Sequence, residues 1–97
     1  MNINGENWEI LLVSPFDPLL HMRDHYYAIG VCDDNAKIIA INNELNDFYL
    51  KKVLCHELAH AAMFSYNVNL THTQEELVAD LIATYGQEII NNTNIVF

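Results

Sequence analysis

The chain has 97 residues, a formal net charge of −9 and a hydrophobic fraction of 52%. That length holds one domain with one modest core, and so apolar a composition argues against disorder. Thirteen acidic residues against four basic ones exclude a phosphate-neutralising surface, so nucleic acid is not an expected partner.

No apolar run reaches the roughly 18–20 residues that a membrane span needs. Met1–Glu6 offers neither a basic region nor an apolar signal segment. A cytoplasmic protein without a membrane partner is therefore expected. The acidic residues are spread along the chain and serve mainly solubility. Cys32 and Cys55 do not suggest a disulfide framework. Cys55 points about 100° away from its neighbour His56 on a helix and is expected to be a buried thiol rather than a ligand.

Trp8–Val13 is a short run rich in β-formers, ended by Ser14-Pro15, and is expected to be a strand. Pro15 to Asp24 has the character of a loop with at most one helical turn at Leu19-Leu20. His21 and His25 lie in or beside it and are expected to be surface histidines. Tyr26–Cys32 and Lys37–Asn42 make a hairpin through the turn chemistry of Asp33-Asp34-Asn35. Gly30 inside the first of these strands signals a bulge or a close backbone approach.

A helix follows from about Asp47 to Tyr66. Asp47 is the expected N-cap, with Asn43 and Asn46 as equivalents by type. Its apolar residues lie nearly all round, from Phe48 to Phe64, so it should be buried on more than one side. Asn67–His72 is a loop. Thr73 then fits as N-cap of a second helix, with Glu76 completing a capping box and the helix running from about Gln74 to Ile90. The tail from Asn91 to Phe97 either frays or docks. The expected fold is α+β. A small, largely antiparallel sheet of about three strands precedes two helices, all in a single domain spanning 1–97.

The chemistry centres on His56-Glu57-Leu58-Ala59-His60. Residues four apart on a helix share a face, so His56 and His60 can offer two imidazole nitrogens to one metal ion. Glu57 lies about 100° round the helix, beside that ion rather than on it, where it can take a proton from water. Zinc favours such a set, because its catalytic sites use three protein ligands and leave one position for water. Imidazoles in so apolar a helix also need partners for their nitrogens, and metal ligation supplies them.

The third ligand is sought on the second helix. With Glu76 at zero, Asp80 falls at about 40°, Gln87 at about 20° and Ala83 at about 340° round the axis. Glu76 and Asp80 thus share an alanine-lined face that permits close approach of the first helix. Glu76 suits a ligand, and Asp80 suits an acceptor for the free N–H of a ligand histidine. The plainer alternative leaves Glu76 as a capping residue and Asp80 in solvent. Glu75 is the neighbour that could replace Glu76.

The pattern His56-Glu57-x-x-His60 followed by Glu76-x-x-Ala79-Asp80-x-x-Ala83 resembles the compact gluzincin metallopeptidases. It is closest to the short ImmA/IrrE-type zinc peptidases of phages and other mobile elements. The resemblance covers about Tyr26 to Ile90. It implies one Zn2+ per chain held by His56, His60 and Glu76, with Glu57 as general base and acid and Asp80 behind a ligand. It also implies hydrolysis of a peptide or protein substrate, paired in extended form with an edge strand that we take to be Tyr26–Cys32.

The residues that larger relatives use on the oxyanion have no match here. Tyr66, His72 and Tyr85 are candidates by residue type. Two other readings stay open. His72, twelve residues beyond His60, could be the third ligand, as in SprT-like metalloproteins. Alternatively, the domain could be a regulatory or binding protein that keeps the fold with little protease activity.

Overall fold

The computed structural model describes residues 1–97, and the secondary structure begins earlier than the sequence suggested. Asn2–Ile3 (β1) and Glu6–Asn7 (β2) pair as a small antiparallel hairpin. Its two-residue turn is Asn4-Gly5, with φ of 49° and 83°. Asn-Gly is the preferred dipeptide where both central residues must take positive φ. The hairpin docks on the far end of the first long helix, where Asn4 Nδ2 donates to the Ser65 carbonyl at 2.9 Å.

The main sheet contains Glu9–Val13 (β3), Gly30–Asp33 (β4) and Ile38–Asn42 (β5), in the order β3-β5-β4. The β4–β5 pair is antiparallel, as the hairpin signal predicted, but β3 pairs with β5 in parallel. The sheet is therefore mixed. β5 is its central strand, and Ile39, Ala40 and Ile41 are all buried. Burial on both faces explains their continuous apolar run.

The strand expected over Tyr26–Cys32 is shorter than that. Asn42 N–H donates to the Ile29 carbonyl at 2.9 Å, and regular pairing starts at Gly30. The preceding residues turn to a different partner. Ala28 N–H donates to the Leu20 carbonyl at 2.9 Å, and His21 bridges Tyr27. Leu19 and Leu20 form the expected turn, a 3₁₀ segment over Pro18–Leu20 capped by Asp17.

Two helices complete the fold. Asp47–Ser65 (α1) is capped by Asn46, whose side chain accepts from Tyr49 N–H. His72–Val96 (α2) is capped by Thr71 in a capping box with Gln74. The box predicted at Thr73 and Glu76 is thus displaced by two residues, which leaves the Glu76 carboxylate free of capping duty. α2 also continues through the tail that was expected to fray or dock. No helix is long and apolar enough to cross a membrane.

The core lies between the sheet and α1. Trp8, Ile39, Ile41 and Ala61 are fully buried, and Val53 joins them. Trp8 also satisfies its indole N–H, which donates to Ser65 Oγ at 2.8 Å. A buried indole without that acceptor would cost free energy. A second, smaller cluster of Ala59, Met63 and Ala79 joins α1 to α2. α1 is thereby packed on both sides, as its apolar circumference requires.

Candidate metal centre and cleft

His56 and His60 lie one turn apart on the face of α1 turned to α2. Their rings meet edge to face at 4.9 Å, with the Nε2 atoms 3.1 Å apart. α2 runs antiparallel, so His60 faces Glu75 and Glu76 while His56 faces Glu76 and Asp80. Glu76 Oε1 is 2.8 Å from His60 Nε2, and Glu76 Oε2 is 3.4 Å from His56 Nε2. One donor atom from each of His56, His60 and Glu76 falls within a span of 4.8 Å. Ala79, fully buried beneath them, lets the two helices come this close.

The outer ring nitrogens are held as well. His56 Nδ1 lies 2.9 Å from Asp80 Oδ1, and His60 Nδ1 lies 2.6 Å from Glu75 Oε1. A carboxylate only accepts, so each Nδ1 carries a proton, and in neutral rings both Nε2 lone pairs point to the same place. Two lone pairs 3.1 Å apart with a carboxylate against both repel one another unless a proton or a metal ion lies among them. Two imidazoles and a carboxylate in this arrangement fit a metal ion.

Glu57 is buried beside this cluster, 8% exposed, against Gly30 of the edge strand β4. A Cβ on Gly30 would come within 2.7 Å of Val53 Cγ1 and 3.2 Å of Glu57 Cγ. Only glycine allows the strand and the helix to approach so closely, which is the close approach its position signalled. Burial raises the Glu57 carboxyl above the ordinary carboxylate range, charge on His56 and His60 opposes the shift, and Glu76 adds to it. A carboxyl so placed can both take and release a proton, as an acid–base group must.

Two depressions meet at Gly30, Glu57 and Glu76. The larger, about 490 Å³, lies on the His56 side and is walled by Tyr26, Ile29, Tyr49, Lys52, Val53 and Ala83. The smaller, about 270 Å³, lies on the His60 side and is walled by Met22, Val31, Cys32, Phe64 and His72. Together they form one cleft passing over the histidine and glutamate cluster.

The remaining candidates fall outside the cluster. His21 packs edge-on against Tyr27 at 5.0 Å. His25 sits in an exposed turn. His72 lines the smaller depression but gives no donor atom to the cluster. Tyr66 and Tyr85 line neither depression. Cys55 faces a separate groove between the outer surfaces of α1 and α2. Cys32, against the core and near Glu57, has its thiol pushed up to about 12, first by burial and then by the carboxylates of Glu57, Asp34, Glu75 and Asp33.

Glu75 is the residue that sequence reasoning undervalued. The sequence offers it only as a substitute for Glu76, yet it holds the ring of His60 as Asp80 holds that of His56. The available signal was the number of outer nitrogens: two histidines present two Nδ1 atoms, and a single Asp80 serves only one.

The family model for the IrrE N-terminal-like domain, Peptidase M78, matches residues 17–89. No curated protein and no solved structure matches the chain significantly. The matched stretch holds the edge strand, α1, α2 as far as Ile89 and every residue of the cluster, and the chain belongs to this metallopeptidase family.

Proposed function

We propose that this domain is a zinc-dependent peptidase that cuts an extended peptide lying along β4. The observation that carries the reading is the meeting of His56, His60 and Glu76 donor atoms within 4.8 Å, with the Glu57 carboxyl beside them at an edge strand. His56, His60 and Glu76 would hold the ion. Zinc, when bound there, supplies Lewis acidity to the scissile carbonyl and to water.

The chain's own residues do the rest. Asp80 and Glu75 fix the ring orientation of the two histidines and keep Nε2 available. Glu57 takes the proton from the attacking water as its oxygen bonds to the carbonyl carbon. It then delivers that proton to the amide nitrogen as the C–N bond breaks. Gly30 keeps the strand close enough for Glu57 to reach a peptide bond paired with β4.

The strand's polarity supports a direction for the substrate. Ile29 and Val31 turn their backbone groups to β5, so Gly30 and Cys32 present theirs to the free edge. A peptide paired antiparallel there has its N-terminal part at Cys32, over the smaller depression. Its C-terminal part passes Gly30 into the larger one.

The test combines metal content by mass spectrometry, on protein never exposed to nickel resin, with cleavage of an unfolded protein. We expect one zinc per chain in the wild type, its loss in His60→Ala, and its retention in Glu57→Gln with cleavage abolished. A Glu57→Gln variant that still cleaves would overturn the assigned base. Equal zinc in His60→Ala would overturn the centre. Greater zinc loss from His72→Ala than from Glu76→Ala would move the third ligand to His72.

A further inference from the structure

The segment from Leu20 to Ala28 is a small hairpin that precedes the edge strand. Its three-residue tip, Arg23-Asp24-His25, is closed by Met22 N–H donating to the Tyr26 carbonyl at 2.6 Å and by the His21–Tyr27 bridge. Asp24 and His25 both have positive φ, 63° and 59°. Two consecutive left-handed residues without glycine are strained, and such conformations persist where the surroundings hold them. The base of the hairpin is held firmly. Leu20 is fully buried, and Tyr27 packs edge-on against both Phe16 at 5.4 Å and His21 at 5.0 Å.

The two residues that flank the tip do something different. Tyr26 is 62% exposed and Met22 43% exposed, so neither is explained by the core. Tyr26 walls the larger depression and Met22 the smaller. One hairpin therefore reaches over both sides of the point where Gly30, Glu57 and Glu76 meet. Its first arm also takes the free side of Ala28, through the bond to Leu20. A peptide on the edge of β4 can pair only as far as Gly30 and must then leave the edge for the larger depression.

We propose that the hairpin His21–Tyr27 selects the residues on either side of the cleaved bond, Met22 bounding the site for the residue before it and Tyr26 the site for the residue after it. The inference rests on the peptidase reading above and names its substrate class. The substrate is an extended peptide with a large apolar residue before the cut, seated among Met22, Val31 and Phe64. An aromatic or long aliphatic residue follows the cut, against Tyr26, Tyr49 and Val53. Because the edge is closed at Ala28, residues further along the C-terminal side add little, whereas residues on the N-terminal side add pairing with Cys32.

The experiment digests a randomised peptide library with zinc-loaded protein and reads the cleavage positions by mass spectrometry. The same library is also captured on immobilised, zinc-loaded Glu57→Gln protein. Tyr26→Ala should lower the preference at the position after the cut by about tenfold or more, the scale on which an apolar pocket discriminates, and leave the position before it unchanged. Met22→Ala should do the reverse. Tyr26→Phe should keep the wild-type profile, which separates the ring's role from a general loss of structure. Cleavage with an unchanged profile in both alanine variants would overturn the hairpin's role and leave the peptidase reading standing. Capture of peptides carrying the apolar pair without cleavage would do the opposite. Neither cleavage nor capture would overturn both.

Discussion

The two halves of α2 carry the same kind of residues and use them differently. From His72 to Ala83 the helix turns Glu75, Glu76, Val78, Ala79 and Ala83 towards α1, and its polar groups find partners across the interface. From Thr84 to Val96 only Gly86 is even half-buried. The polar side-chain contacts there are local, Gln87 to Asn91 and Thr93 to the Ile89 carbonyl. Tyr85, Ile89, Ile90, Ile95 and Val96 remain exposed. Two causes act: α2 has 25 residues and α1 has 19, so its last turns run past the start of α1, and the stretch from Thr84 to Ile90 stays beside α1 across an open groove lined by Phe48, Lys51 and Cys55. The lesson is that helix–helix packing in this domain is concentrated where it sets the distance between two histidines and a glutamate.

The strongest way to break this contrast is at Ala79. It is fully buried against Ala59 and Met63, and a larger side chain must push the helices apart. Ala79→Leu should cost about 1–3 kcal/mol of stability, the usual penalty of overpacking, measured by urea unfolding of the metal-free protein. It should also lower metal affinity, because Glu76 moves with the helix. Unchanged metal affinity would show that the cluster does not depend on this close approach.

A finer probe is the pair of carboxylates behind the histidines. Asp80→Ala and Glu75→Ala should each lower zinc affinity by about 10–100-fold, the range expected when the partner of a ligand imidazole is removed. Excess zinc should then restore part of the activity of each variant. Glu75, with 16% side-chain exposure against 69% for Asp80, works in a drier place, so its removal should have the larger effect. An effect confined to Asp80 would leave Glu75 as a mere neighbour of His60.

That comparison also shows what could be read from the sequence. The shared face of His56 and His60, and that of Glu76 and Asp80, follow from helical period alone. The close approach at Gly30 was legible because glycine in a strand has few other reasons. Glu75 was not, because its role depends on the register of one helix against the other, and nothing local fixes that register. The cap of α2 was ambiguous for a local reason: Thr71 and Thr73 are each followed three residues later by Gln or Glu, so two capping boxes fit. The parallel pairing of β3 with β5 joins residues some thirty positions apart in the chain, beyond the reach of turn chemistry. The hairpin at Asn4-Gly5 was legible in that dipeptide, but the sequence reading of Met1–Glu6 goes no further than the absence of signal-peptide character.

The smallest effect expected lies in the far half of α2. Ile89 is 55% exposed and Ile95 81% exposed, so replacing both with glutamine removes little buried apolar surface. Glutamine is also at least as good a helix former as isoleucine, since it loses less rotamer freedom against the preceding turn. The two terms oppose each other, and substitutions at exposed sites without special contacts usually fall within about 0.5 kcal/mol. The doubly substituted Ile89→Gln, Ile95→Gln protein should therefore unfold in urea within about 0.5 kcal/mol of the wild type, and its zinc affinity should be unchanged. A larger loss of stability would mean that the far half packs on the rest of the chain in solution. A change in zinc affinity with stability intact would mean that it holds the near half in register, and the division of α2 into two independent halves would fall.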